Sequence, residues 1–150
     1  VEGDLTGVEN FLFNRIQEFN CSMEILTRGT VVLTGEGTGD DNEALFQCYS
    51  DHKYEWVLSQ RYNAHNQYIQ SALQNGILGG VTFGLLALAP FLFRRVREHQ
   101  MEFVLFSLLF ALFSLTESTL EVQKGVVFFS FFYALFVSFA QKREEQCKTE

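Results

Sequence analysis

Positive charge is scarce in this chain. The sequence has 11 Lys and Arg residues against 18 Asp and Glu residues, which gives a net charge of −7. Residues 1–75 hold only 4 basic side chains beside 11 acidic ones. This balance argues against a basic surface for nucleic acid. Arg15 and Arg61 are therefore exceptions in an acidic half of the chain.

Two common site motifs are missing as well. The stretch LTGEGTGDDNEALFQCY lacks the Gly-Lys-Ser/Thr of a P-loop and carries acidic residues instead, so nucleotide binding is not expected. Its glycines, with Asp40 at capping-box spacing from Glu43, predict a structural turn before a short helix. No metal is expected, since His52 and His65 have no carboxylate or cysteine at ligand spacing. His99 follows the first long apolar run, which predicts a membrane between it and the other two histidines.

Cysteine is also rare, at positions 21, 48 and 147. Cys147 follows the last apolar run, where a cytoplasmic location is expected. Cys21 and Cys48 can form a disulfide outside the membrane or remain two small apolar thiols in helices. The pattern favours the two thiols.

Long apolar runs are confined to the second half of the chain. They predict three transmembrane helices at about 76–93, 101–118 and 125–141. Runs such as FVLFSLLFALFSL and VVFFSFFYALFVSF are apolar on every face, which favours lipid over the core of a soluble helix bundle. The expected fold is an all-α membrane protein, with a helical loop region at 1–75 outside the membrane and three spans at 76–150.

Basic residues set the expected orientation. The cluster RRVR, residues 94–97, lies between the first two spans, and QKR follows the third. By the positive-inside rule both are cytoplasmic, which places residues 1–75 on the outer side. An external region with no signal peptide and no preceding span cannot cross a membrane alone, so the chain is expected to be the C-terminal part of a longer multispanning protein.

The external half predicts helices joined by loops. Apolar residues at three- and four-residue intervals predict an amphipathic helix over 8–27. Arg15 lies one turn from both Phe11 and Phe19, on the apolar face. There the guanidinium either addresses an anion or cavity or reaches past the helix edge to water, and the pattern leaves both open.

A further helix is expected to begin at Asn63 as N-cap and to run into the first span. Gly76, Gly80 and Gly84 share one of its faces, which permits close approach of another helix. His65 falls in the first turn, where the helix dipole disfavours protonation. A neutral histidine can accept a proton, although a lone histidine more often has a structural role.

Four blocks of residues, in one order, resemble a known family. They are Arg15 in its helix, the turn GEGTGD at 35–40, the HNxxxQ helix from His65 through Gln70, and the closing ESTLEVQKGVVFFSFFYALF. The chain is similar to the C-terminal part of the O-antigen ligase superfamily of bacterial membrane glycosyltransferases. The resemblance covers residues from about 15 to 136.

The resemblance implies a function at the outer face of the bacterial inner membrane. Members transfer a glycan from undecaprenyl diphosphate to an acceptor hydroxyl, usually on lipid A core, without a cofactor or metal. It implies His65 as the catalytic proton acceptor, Arg15 and Arg61 as ligands of the diphosphate, and Gly37, Gly39, Asp40 and Asn66 as residues that shape the site.

Alternatives from the same and other classes stay open. They are a protein O-oligosaccharyltransferase, an O-antigen polymerase, and a membrane-anchored scaffold without enzymatic activity. Glu117 and Glu121, one turn apart at a span end, either orient an arginine or hydroxyl or form a solvated helix end, and the solvated end is favoured.

Overall fold

The structure is a computed structural model that describes residues 7–92 and 101–149 of the 150-residue chain. Every regular element in these ranges is helical. The helices are α1 (Gly7–Leu26), α2 (Val31–Thr34), α3 (Asp40–Asp51), α4 (Glu55–Gln60), α5 (Gln67–Leu92), α6 (Met101–Phe113) and α7 (Gln123–Thr149), with a 3-10 turn at Thr119–Glu121. The all-helical fold expected from the sequence is therefore confirmed.

The apolar segments give one candidate membrane span. By length and composition alone, Gln67–Phe91 qualifies as a membrane span, while Met101–Phe113 and Gln123–Phe139 are apolar but shorter. The helix lengths therefore support one candidate span and do not confirm the three transmembrane helices that the sequence predicts. The RRVR cluster at 94–97 and His99 lie outside the described residues.

Helix α5 is a hairpin. Asn75 and Gly76 have non-helical backbone angles, with φ of 69° and ψ of −172° at Gly76. A short arm, residues 67–74, folds back along a long arm, residues 77–92: the rings of Tyr68 and Phe83 lie 4.9 Å apart, although fifteen residues of straight helix would span about 22 Å. The long arm alone would rise about 24 Å.

This hairpin corrects the expectation of one helix running from Asn63 into the first span. The sequence does carry a turn signal at this point, the dipeptide Asn75-Gly76. Only glycine adopts the backbone region of Gly76 without strain. Gly80 faces the short arm, as expected of a close-packing glycine, and its partner is the preceding segment of the same chain: a Cβ there would lie 3.0 Å from the Tyr68 carbonyl oxygen.

The long arm packs with α6 and α7 through aromatic rings. Phe83, Phe110 and Phe129 form the buried centre of this packing. The rings of Phe110 and Phe129 are stacked at 4.2 Å, and the Phe103 and Phe136 rings are stacked at 5.4 Å. Because these pairs run in opposite directions along the chain, α6 and α7 are antiparallel neighbours.

A second core lies among the helices of the first half. It comprises residues from α1, α3, α4, the loop before α5 and the short arm: Cys21, Ile25, Leu45, Cys48, Tyr49, Val57, Ala64 and Leu73. Cys21 and Cys48 are joined by a disulfide, with Cα atoms 5.8 Å apart, which links α1 to α3. The structure therefore corrects the preference for two free thiols.

Helix α1 has its expected length, but its apolar face points outward. Large apolar side chains on it are exposed, namely Val8, Phe11, Leu12, Phe13, Ile16, Phe19 and Met23. Its buried face instead contains Gln17, Glu18 and Ser22 beside Cys21 and Ile25. The amphipathic pattern predicted the helix correctly, but a pattern alone does not say which face meets protein.

The close approach at the α5 reversal predicts that Gly76→Ala destabilises the fold more than a matched change. A Cβ at Gly76 would collide with the Leu33 carbonyl group, and the backbone has a positive φ. Gly29 also has a positive φ, of 51°, but a Cβ there meets nothing within 4 Å. We expect Gly29→Ala to cost about 1 kcal/mol and Gly76→Ala about 3 kcal/mol or more.

Thermal unfolding of the two variants in detergent micelles measures this difference. A clearly lower midpoint for Gly76→Ala than for Gly29→Ala is the expected result. Equal midpoints would show that the packing of Gly76 against α2 contributes nothing.

Candidate functional site

Three glutamines of the short arm hold the surrounding loops in place. The Gln67 backbone N–H donates to the Ser114 carbonyl oxygen at 2.8 Å, and its side-chain oxygen accepts from the Leu120 N–H at 2.7 Å. The side-chain oxygen of Gln70 accepts from the Ala64 N–H at 3.1 Å. Gln74 donates to both carboxylate oxygens of Glu121 at 3.1 Å. The loop before α5 and the segment after α6 therefore converge on this arm.

The glycine-rich loop binds the end of a helix. Its Glu36 and Gly37 N–H groups donate to the carbonyl oxygens of Leu73 and Gln74, at 2.7 and 3.1 Å. These carbonyls end the short arm, where no helical partner is available. Because its N–H groups are used in this way, the loop acts as the structural turn that the sequence predicts.

The buried acid of this loop is Asp41 and not Asp40. Asp41 is fully buried and its carboxylate accepts from the Gly39 N–H at 2.9 Å, from the Gln74 amide at 3.2 Å and from the Gln70 amide. Asp40 is exposed, and no side-chain cap bond is made at the start of α3. The capping-box interpretation of Asp40 is therefore wrong, because the carboxylate that accepts the hydrogen bond from the Gly39 N–H is that of Asp41.

Asn66, rather than Asn63, begins the short arm. Its side-chain oxygen accepts from the N–H groups of Tyr68 and Ile69, at 3.0 and 3.1 Å, which is N-cap geometry. Its amide donates to the Leu115 carbonyl oxygen at 3.1 Å. His65 thus lies just before the helix and not in its first turn.

The backbone around His65 is held in an unusual conformation. His65 has a positive φ of 43°, and its N–H donates to the Asn63 side-chain oxygen at 2.9 Å. The Tyr62 ring packs edge-on to the imidazole at 5.0 Å. A non-glycine residue with positive φ is uncommon and is often found at functional sites.

His65 and Arg15 meet at one carboxylate. The Nδ1 atom of His65 lies 3.2 Å from one oxygen of Glu117, and a guanidinium nitrogen of Arg15 lies 3.3 Å from the other. Arg15 also contacts Glu18 at 3.4 Å, and its guanidinium lies over the Phe11 ring at 4.9 Å. Residues 102 positions apart in sequence are thereby brought into one group.

Glu117 is the member of this group to which the sequence assigns no catalytic or binding role. A solvated helix end was favoured for it, but its carboxylate binds both the predicted proton acceptor and the predicted cation. The other possibility considered for it, orienting an arginine, matches the structure. The only feature of the sequence that points to Glu117 is its position at a predicted span end. The fold is needed to show that Arg15 and His65 face it.

Burial decides the charge of His65. The pKa of His65 lies below its usual range because burial and the nearby Arg15 guanidinium lower it, while Glu117 raises it. This environment therefore favours the neutral imidazole. The expectation of a neutral histidine had a different cause, the helix dipole, which the position of His65 outside the helix does not supply.

Glu18 is buried on the inner face of α1 beside Arg15. Burial raises the pKa of Glu18 to about 7, although the Arg15 ion pair acts in the opposite direction. Near neutral pH this carboxyl is partly protonated. It then leaves the positive charge of Arg15 less completely neutralised than two ionised carboxylates would.

Arg61 does not join this group. Its guanidinium lies over the Phe46 ring at 4.9 Å, and it ends α4 in a left-handed conformation. Among the described residues, Glu117 forms an ion pair with Arg15 and contacts the imidazole of His65.

Comparisons with known proteins identify no relative. No protein-family model, curated protein or solved structure matches the chain.

The raised pKa of Glu18 predicts a stability that falls as pH rises. The unfolded carboxyl ionises near 4.5 and the folded one near 7, so the fold loses stability between these pH values. At about 1.4 kcal/mol for each pKa unit, ionising Glu18 costs the fold about 3 kcal/mol above pH 7. Glu18→Gln should therefore raise the unfolding midpoint relative to the parent at pH 8 and change it little at pH 5.

The exposed Glu43 supplies the matched change. We expect Glu43→Gln to show no such difference between pH 5 and pH 8. If Glu18→Gln and Glu43→Gln respond alike across this range, Glu18 is ionised in the folded protein at both pH values.

Proposed function

We propose that the chain is the C-terminal part of an O-antigen ligase-like glycosyltransferase of the bacterial inner membrane. The observation that supports this most is the group formed by Arg15, His65 and Glu117. It places a neutral proton acceptor and a cation on the two oxygens of one carboxylate. Transfer of a glycan from a lipid diphosphate requires these two functions.

The proposed reaction uses His65 as the base. With its Nδ1–H donated to Glu117, the imidazole keeps the Nε2 lone pair free to accept a proton. The acceptor hydroxyl gives that proton to Nε2 as its oxygen bonds to the anomeric carbon of the donor sugar. The bond from this carbon to the phosphate oxygen breaks, and the configuration at the carbon inverts. Glu117 then stabilises the imidazolium.

Arg15 is proposed to bind the departing undecaprenyl diphosphate. Its guanidinium presently contacts two carboxyl groups, and partial protonation of Glu18 near neutral pH makes the exchange for a diphosphate less costly. A guanidinium forms strong paired bonds to phosphate oxygens. Arg61, which lies over Phe46, has less support in this role.

The proposed location follows from the apolar helices and the resemblance. The long arm, α6 and α7 would cross the membrane, with residues 1–75 in the periplasm and the C-terminus in the cytoplasm. The Asn66 and Gln67 bonds to Leu115 and Ser114 hold His65 near the C-terminal end of α6, which would be the outer end of that helix in this orientation. A diphosphate on a membrane lipid can reach only groups at such a level.

The first test measures glycan transfer from undecaprenyl diphosphate to lipid A core, in membranes that contain the complete gene product. His65→Ala should lower the rate about 10²- to 10⁴-fold through loss of the base. Arg15→Ala should lower it about 10²- to 10³-fold through loss of leaving-group stabilisation. Lys53→Asn removes an exposed cation and should leave transfer unchanged.

Normal transfer by both site variants at parental protein abundance would refute the assignment. If the parent transfers nothing to lipid A core, glycosylated proteins and polymerised glycan must be measured instead. Transfer to a protein would identify an oligosaccharyltransferase, and no transfer to any acceptor would favour the scaffold.

The second test uses the pH dependence of transfer. A neutral base gives a rate that rises with pH through the lowered pKa of His65 and then levels off. Because Glu117 raises this pKa and Arg15 lowers it, Glu117→Gln should move the rise to lower pH and Arg15→Ala should move it to higher pH. Shifts in the same direction for both variants would contradict the proposed arrangement.

A further inference from the structure

A second cluster of chemically reactive side chains lies at the junction of α1 and α3. The sulfur atoms of Cys21 and Cys48 and a ring nitrogen of His52 all lie within 4.8 Å of one another. A carboxylate oxygen of Glu24 lies 2.7 Å from the His52 Nε2 atom and 3.8 Å from the Cys48 sulfur. Two sulfurs and one imidazole therefore lie close together, and the Glu24 carboxylate adjoins the imidazole and one of the sulfurs. Glycan transfer as proposed uses none of them.

The surroundings hold these donors in place. Arg28 binds the other Glu24 oxygen at 2.6 Å, so the oxygen that faces His52 and Cys48 stays directed at them. The Tyr54 ring stacks on the His52 ring at 5.4 Å. Cys21 and Cys48 are buried, whereas the His52 and Glu24 side chains are 46% and 42% exposed, so that the cluster is open to solvent on one side.

Two sulfurs, one imidazole nitrogen and one carboxylate oxygen together match the donor set of a tetrahedral zinc site. Two sulfurs bound to one Zn²⁺ lie about 3.8 Å apart, given Zn–S bonds of about 2.3 Å. Two cysteines whose Cα atoms are 5.8 Å apart can reach that separation by side-chain rotation. Outer partners such as Arg28 and Tyr54 are also typical of metal sites.

We propose that Cys21, Cys48, His52 and Glu24 form a zinc site when the disulfide is reduced. A dithiol reductant supplies two electrons and two protons and itself becomes a disulfide, which leaves two thiols at Cys21 and Cys48. Zn²⁺ then binds both sulfurs and displaces their two protons to solvent. The bridge and the metal use the same two sulfurs, so each excludes the other.

Either state keeps α1 attached to α3. Cys21 is one turn from Glu18 and two turns from Arg15 on α1. Loss of both the bridge and the metal would leave α1 held by core packing and by the Arg15–Glu117 ion pair. The zinc state therefore keeps a direct link between α1 and α3 under reducing conditions, when the covalent link is lost.

Zinc binding to the whole chain in detergent micelles tests this inference, in a Cys147→Ser background that removes the third thiol. The reduced protein, prepared with a phosphine reductant that does not chelate zinc, should bind one Zn²⁺ per chain. The oxidised protein should bind none. Co²⁺ in place of Zn²⁺ should give a thiolate charge-transfer absorption in the reduced protein only.

Substitutions of the partly exposed Glu24 and His52 test the zinc site without removing the buried sulfurs. Glu24→Gln should weaken zinc binding by about 10- to 100-fold, and His52→Ala by more than that. Asp51→Asn removes a neighbouring carboxylate, which pairs with Gln47, and should bind zinc as the parent does. Equal zinc binding by oxidised and reduced protein, or parental affinity in reduced His52→Ala, would overturn the assignment.

Discussion

The reversal of α5 at Asn75 and Gly76 is the constraint on which the site depends. It turns the short arm back along the long arm, so that His65 lies beside the end of α6 instead of far beyond the bundle. A straight helix from Asn66 through the span would carry His65 about 16 Å above Gly76. Glu117 could not then reach it. The backbone of Gly76 and the close approach at Gly80 make this reversal possible.

With the short arm in place, polar contacts position the remaining parts. Gln67, Gln70 and Gln74 bind the loop before α5 and the segment after α6, and the glycine-rich loop satisfies the carbonyl groups at the end of the arm. Glu117 then faces both α1 and the loop before α5. The positive φ of His65 and the burial of Glu18 both lower the stability of the fold, and the surrounding contacts offset this loss. Strain and buried charge of this kind concentrate where groups are held for chemistry.

The spacing of apolar residues predicted most of the long helices, but it did not predict which residues of different helices contact one another. Apolar spacing predicted α1 to within one residue at each end, and the apolar runs predicted where the later helices lie. Periodicity could not show that the apolar face of α1 points outward, since that depends on which surface is covered. The dipeptide Asn75-Gly76 signals a turn. Apolar residues continue at helical spacing on both sides of it, however, so the sequence predicts one unbroken helix. The pairs of Glu117 with Arg15 and of Cys21 with Cys48 depend on packing between distant segments, which no local spacing encodes.

The charge of His65 is the most direct test of the account. The protein, labelled with ¹⁵N at histidine and placed in lipid nanodiscs, allows the imidazole of His65 to be titrated by NMR, with His65→Ala used to assign its signals. We expect a pKa below 6.5, with the neutral ring protonated at Nδ1, the atom that faces Glu117. A pKa at or above 6.5, or a neutral ring protonated at Nε2, would contradict the proposal that His65 is a base held ready by Glu117.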